Sequence, residues 1–220
     1  MDSKSQSRLK SVSKAIAILA RIGQIFLGIG VGAIVIGMVL IPIVQKQIKI
    51  EDHVVTVFNK KIELEKREDK LVIKGGEKEQ IITNISSEQI DMIMNAINEK
   101  NVRKLAISLE VALLFSAVQL VLTILTFGCL RKVFCNVRDG ETPFIKENAV
   151  YLRKMGNYLV AVLIASLLSS IITQLIISAD LSINVQGASI MTILCAFAAS
   201  YIVEYGCVLQ SKSKEKLYTD

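Results

Sequence analysis

Tryptophan is absent from this sequence, histidine occurs once and proline twice. Each scarcity removes a class of chemistry. With His53 as the single imidazole, neither a histidine-based zinc site nor a histidine-based catalytic triad can be assembled, and the residue reads as an ordinary surface or loop side chain. The cysteines (Cys129, Cys135, Cys195 and Cys207) form no CxxC and no metal-ligand spacing, so they read as small apolar packing residues. There is no HExxH, no aspartate pair inside an apolar run and no glycine-rich phosphate loop between a strand and a helix. No nucleophile is offered with its base. The chain is read as non-enzymatic, with no cofactor.

Charge is the other scarcity, and it is local. Of all residues 21% are charged and 52% hydrophobic, totals that suit a soluble domain and a membrane protein alike. Yet Ile22 to Gln45, Val111 to Leu130, Met155 to Ala179 and Leu181 to Val203 contain almost no ionisable group. Each reaches the roughly 20 apolar residues that a helix needs to cross about 30 Å of hydrocarbon. A signal peptide fits the first run poorly, because the run exceeds the roughly 7 to 15 residues of such segments and no small-x-small cleavage site follows it.

The formal charge of +6 then becomes a topology signal. Lys4, Arg8, Lys10, Lys14 and Arg21 precede the first run; Arg131, Lys132, Arg138, Lys146, Arg153 and Lys154 lie between the second and third; Lys212, Lys214 and Lys216 follow the fourth. The connection between the third and fourth carries Asp180 and no lysine or arginine. This bias places both termini and the middle loop in the cytoplasm, with the lipid bilayer as partner and no direct role at nucleic acid.

The expected fold class is therefore membrane all-α: a four-transmembrane-helix bundle with a small extracytoplasmic α+β insertion between helices one and two. The expected segments are a cytoplasmic tail 1–21, helix 22–45, external element 46–103, helix 104–130, cytoplasmic loop 131–154, helix 155–179, outer loop 180–187, helix 188–207 and cytoplasmic tail 208–220.

In the external element, Ile48 and Ile50, Val55 and Val57, and Ile62 and Leu64 show the period-two spacing of strands. Gly75 and Gly76 read as a hairpin turn between Leu71–Val72–Ile73 and Ile81–Ile82. Ser86 and Gln89 have the spacing of a capping box, opening a helix whose Ile90, Ile93, Met94 and Ile97 share a face, and which is expected to run nearly into the second span. Alternating charges from Lys60 to Lys70 read as a solvated surface, and Asn84-Ile85-Ser86 fits a glycosylation triplet too short to be specific. Without a disulfide, an element of this size has a marginal core of its own.

Within the first span, Gly28 with Gly32, and Ala33 with Gly37, are small-xxx-small pairs, read as close packing inside the bundle with homo-oligomerisation as the alternative. Pro42 is tolerable near the outer end. Glu110 and Glu204 lie at or near membrane depth. Both read first as interfacial ion pairs, Glu110 with Arg103 and Glu204 at the depth of Arg131 and Lys132. Gln119, Thr123, Thr173 and Gln174 read as hydrogen-bonding glue between helices.

The middle loop is the most individual segment. Asp139 and Gly140 stop the second helix, Thr142 and Pro143 fit an N-cap and first-turn proline, and Phe144, Tyr151 and Tyr158 are expected at the headgroup layer in place of tryptophan. Arg131, Phe134, Gly140, Thr142, Pro143, Phe144, Asn148, Leu152, Arg153 and Gly156, together with Tyr205, Gly206, Leu209 and Gln210, resemble the small four-span bacterial membrane proteins grouped as domain of unknown function 2975. The resemblance covers the membrane portion and is most specific over Arg131–Gly156 and Tyr201–Gln210. It implies a bacterial cytoplasmic membrane, no known catalytic activity and a small cytoplasmic helix-turn-helix regulator as partner. Lys212 and Lys214 depart from the acidic tail common in that family.

The leading functional expectation is a sensing or interaction protein acting through the cytoplasmic loop, with Gly140, Thr142, Pro143, Phe144, Asn148, Arg153, Tyr205, Gly206 and Gln210 as candidate contact residues. The alternatives are a small-solute or ion carrier with Glu110 as coupling group, and a protective or immunity-type membrane protein.

Overall fold

The computed structural model describes residues 3–51, 54–57, 60–67, 70–75, 78–82, 86–96, 99–140, 142–177 and 187–217. His53, the Asn84-Ile85 pair and residues 180–186 of the expected outer loop lie outside them. In chain order the elements are α1 (Ser3–Gln47), β1 (Ile48–Glu51), β2 (Val54–Val57), β3 (Lys60–Arg67), β4 (Lys70–Gly75), β5 (Lys78–Ile82), α2 (Ser87–Ala96), α3 (Glu99–Asp139), α4 (Lys146–Ile177) and α5 (Gly187–Leu217).

Four of these helices are long and apolar enough to cross a bilayer: Ser7–Gln47, Lys100–Asp139, Lys146–Ile177 and Ser189–Ser213. Protein covers little of them. Of the most apolar window of α1, 0% is buried within the chain, and even in α5 the share is 22%. Phe26 (70% exposed) and Ile29 (65%) stand on such a surface. An apolar area of that extent is incompatible with water as its solvent and compatible with a multi-pass membrane protein.

The helices outrun the expected spans. The tail 1–21 belongs to α1 from Ser3 onward, the loop 131–154 is largely helical with α3 stopping at Asp139 as expected and α4 starting at Lys146, and the tail 208–220 is helical to Leu217. The reason is physical: a run of apolar residues measures what lipid must cover, whereas backbone hydrogen bonds continue past it into water.

The chain divides into two compact units, residues 35–114 with 169–181 and residues 1–34 with 115–168 and 182–220. In the first, the strands form an antiparallel meander in the order β1-β2-β3-β4-β5. The registers Glu51↔Val54, Val57↔Lys60, Arg67↔Lys70 and Gly75↔Lys78 set the strands at hairpin spacing throughout. They put Val55, Ile62, Leu64, Leu71, Ile73 and Ile82 on one face and Thr56, Lys61, Glu63, Glu65, Lys70 and Lys74 on the other. The period-two reading and the Gly75 hairpin are thus realised.

Helix α2 packs against β4, with Ile90 fully buried and Leu71 2% exposed. An ion pair from Lys66 to Asp91 ties α2 to β3. The capping box is formed in both directions: the Gln89 amide donates to Ser86 Oγ at 3.3 Å, and the Ser86 amide donates to Gln89 Oε1 at 3.0 Å. α2 is described to Ala96 and α3 from Glu99, and Ile97 of the expected apolar face lies outside the described residues. On the polar face a Lys74–Glu65 pair at 2.7 Å crosses the sheet beside Val72, which is 2% exposed.

The glycines of α1 pack differently from the expected pattern. A Cβ at Gly28 or Gly32 would meet nothing within 4 Å, so this pair faces open space, and only Gly37 packs, at 3.6 Å from Leu113. The working seam has a seven-residue spacing: Gly23 against Phe127 at 3.3 Å, Gly30 against Leu120 at 3.4 Å, and Gly37 against Leu113. Large side chains on α3 recur at the same interval in the opposite direction, so each glycine is the hole for one knob. Before that seam Ser13, Ala17 and Ala20 are buried at 1%, 6% and 2%. The small residues that pack inside the chain are these, not the Gly28–Gly32 pair.

Candidate functional site

The second unit contains the turn between α3 and α4 and the C-terminal part of α5, the two segments of most individual sequence. Helix α3 closes at Gly140, whose amide donates to the Asn136 carbonyl at 2.8 Å. A Cβ at Gly140 would lie 2.8 Å from that same oxygen, so the close approach requires glycine. Two turns of bonding follow: the Phe144 amide donates to Thr142 Oγ1 at 3.2 Å, and the Ile145 amide to the Pro143 carbonyl at 3.1 Å. Helix α4 then starts at Lys146.

Thr142 is therefore not the N-cap of α4. Its hydroxyl oxygen accepts the Phe144 amide and also the side-chain amide of Gln210 at 2.8 Å, which ties the turn to α5. With both donors in place the oxygen is committed to the turn, and the helix begins further along. Phe144 packs against α5. Its ring lies on Gly206, where a Cβ would come within 2.3 Å of it, so the missing side chain of Gly206 is the seat for the ring.

Asn148 is fully buried at 0% exposure and joins three chain segments. Its Nδ2 donates to the Pro143 carbonyl at 2.9 Å, and its Oδ1 accepts Asn136 Nδ2 at 2.9 Å. Because a carbonyl can only accept, the Pro143 bond fixes which way the amide points. One turn on, Ser200 Oγ (1% exposed) donates to the Ala149 carbonyl at 3.0 Å, and Gly156 accommodates the Phe197 ring, the atoms of which are 2.9–3.1 Å from a Cβ placed there. Toward solvent, Arg153 donates to Glu204 at 2.7 Å and stacks 5.8 Å from the Tyr201 ring centre, while Lys132 lies 5.1 Å from that of Tyr151.

Of the candidate contact residues, the fold brings Gly140, Thr142, Pro143, Phe144, Asn148, Arg153, Gly206 and Gln210 into one cluster, and leaves Tyr205 outside it, 66% exposed. Most are consumed by one another. Glu204 pairs with Arg153 rather than with Arg131 or Lys132. Glu110 is half-buried, and among the described residues no ion pair joins it to Arg103. Asn136 and Ser200 escaped sequence reading because a single polar residue near a helix end carries no spacing of its own.

Among the residues expected as interhelical glue, two bonds lie within single helices: Thr123 Oγ1 donates to the Gln119 carbonyl at 2.7 Å, and Gln174 Nε2 donates to Ser170 Oγ at 3.2 Å. Among the described residues Thr173 Oγ1 is buried and has no hydrogen-bond partner. A hydroxyl reaches the carbonyl one turn back without help from a neighbour, and the local bond forms first. An amide that does bond between helices is that of Gln24, donating to the Ile124 carbonyl at 3.1 Å.

Two cavities lie in this unit. One of about 360 Å³ is lined by Gln119 and Ser166 with Ser189 and Thr192, and Glu110 does not line it. The other, about 500 Å³, is a groove between α4 and α5 lined by Lys146, Ala149, Val150 and Arg153 on one side and Glu204, Cys207, Val208 and Ser211 on the other. Among the described residues no group of His, Cys, Asp or Glu is arranged to hold a metal ion. No protein-family model, curated protein or solved structure matches the chain.

Proposed function

We propose that the chain is a non-enzymatic multi-pass protein of a bacterial cytoplasmic membrane, resembling the family named above, that recognises a partner protein on the cytoplasmic side. Both termini and the α3–α4 turn face the cytoplasm, following the distribution of lysine and arginine, and the sheet with α2 faces outward. The observation that carries this reading is the cluster around Asn148: a turn held to two helices by side-chain bonds is a preorganised surface, and preorganisation lowers the entropic cost of binding.

The residues on display differ from the residues that build it. Thr142, Phe144, Asn148, Gly206 and Gln210 hold the turn in shape, while Glu147 beside them is exposed. The sensing part of the proposal assigns the sheet and α2 as the receiving element. α1 and α3 each contribute residues to both units and so link it to the cluster through continuous helix.

The test is a photo-crosslinking residue at Glu147 in intact cells, with a site facing lipid at Phe26 as control. A discrete protein adduct at Glu147 alone is the expected result. Lipid-only or no adducts at Glu147 would refute the partner reading.

A further inference from the structure

We infer that the groove between α4 and α5 binds the phosphate of an anionic phospholipid headgroup. Lys146, Ala149, Val150 and Arg153 recur at helical spacing on one face of α4, and Glu204, Cys207, Val208 and Ser211 do so on α5, so two helical faces form the walls of a slot of about 500 Å³. The Arg153–Glu204 bridge crosses it at one end with its charges mutually satisfied. At the other end stand Lys146, which among the described residues has no ion-pair partner, and Ser211, whose hydroxyl donates to the Val208 carbonyl at 2.8 Å, with Lys212 following. At that end the slot is left with one cation that makes no ion pair among the described residues. The nearest acid in sequence, Glu147, is not among the residues lining the slot.

Depth selects the occupant. Arg153 abuts the apolar run that begins at Met155, and Lys146 is one heptad earlier, about 10 Å further along the helix. A bilayer adds roughly 5–7 Å of headgroup layer on each side of its hydrocarbon. The slot therefore starts near the hydrocarbon edge at Arg153 and runs outward through the layer in which phosphates lie, with Lys146 at its outer end. It also opens past Val150 (49% exposed) and Val208 (45%), with Tyr201 and Tyr205 exposed on α5, a surface suited to the start of an acyl chain and of no use to a free anion. A zwitterionic headgroup brings its own cation against Lys146, whereas an anionic one does not.

The inference rests on the membrane-spanning reading and is independent of a protein partner, so failure of the crosslinking experiment leaves it standing. Native mass spectrometry of the full-length protein in neutral detergent, with equal amounts of phosphatidylglycerol and phosphatidylcholine of matched chains, tests it. The protein is expected to retain phosphatidylglycerol about fivefold more, the preference that one added surface cation supplies. Lys146→Gln should bring the ratio close to one and Lys146→Arg should restore it. A ratio near one in the parent, or an unchanged ratio in Lys146→Gln, overturns the proposal. So does displacement of the lipid by inorganic phosphate at equal concentration, which would mark a free-anion site. If Lys146→Gln does not fold, the parent decides alone: a preference that does not fall with added salt overturns it.

Discussion

Replacing Asn148 by alanine should unfasten the turn between α3 and α4 from its neighbours. The side chain is fully buried and makes two bonds of 2.9 Å, one to Asn136 and one to the Pro143 carbonyl. Alanine removes both and supplies nothing, so two half-buried polar groups lose their partner at about 1–2 kcal/mol each, or roughly 2–4 kcal/mol together. For a chain of this size that lowers the unfolding midpoint by roughly 5–12 °C. Cys129, 8% exposed on α3, can report it: with Cys135, Cys195 and Cys207 replaced by serine, a thiol-reactive dye should label Cys129 only on unfolding in mild detergent. The Asn136→Ala/Asn148→Ala pair should fall short of additivity by about 1 kcal/mol, because the second change removes a group already orphaned. A midpoint within about 1 °C of the parent for Asn148→Ala would refute the assigned role.

Gly206→Ala should destabilise by about 1–3 kcal/mol in the same dye assay, and adding Phe144→Ala should remove most of that effect, since the clash is with the Phe144 ring. Gly30→Leu should lower the midpoint through collision with Leu120, whereas Gly28→Leu, facing open space, should leave it unchanged; equal effects would argue against the seven-residue seam. Ser86→Ala should cost about 1 kcal/mol locally and raise hydrogen exchange in α2 of the full-length protein about fivefold. Glu204→Gln should change overall stability by less than about 1 kcal/mol, because its pair with Arg153 is half exposed; a larger drop in the dye assay would show that the bridge holds α4 to α5.

What was legible in the sequence is what periodicity and length encode. Four apolar runs, the period-two strands and the Ser86–Gln89 box all follow from local rules, and each is present in the structure. The conspicuous residues of the turn and of α5 read as candidate contact residues for a partner, and the fold brings several of them against one another, Thr142 on Gln210 and Phe144 on Gly206. The cap expected at Thr142 did not form. Whether threonine caps a helix or bonds to a side chain 68 positions away depends on a partner that local sequence does not mention. The glycines failed for a related reason: Gly28 and Gly32 match a familiar spacing, but the face a helix buries is set by the knobs opposite, and Phe127, Leu120 and Leu113 select Gly23, Gly30 and Gly37. Asn136 needed Asn148 to become visible.

The meander has a kinetic consequence. Each strand pairs with the strand next to it in sequence, so every ladder from Ile48 to Ile82 closes over a short loop and none waits for a distant segment. Contacts this local lose little loop-closure entropy and form quickly. The sheet can be complete while the chain of α4 and α5 is still being synthesised. The cluster around Asn148 joins α3, the turn and α5, and so becomes complete only when the last helix arrives.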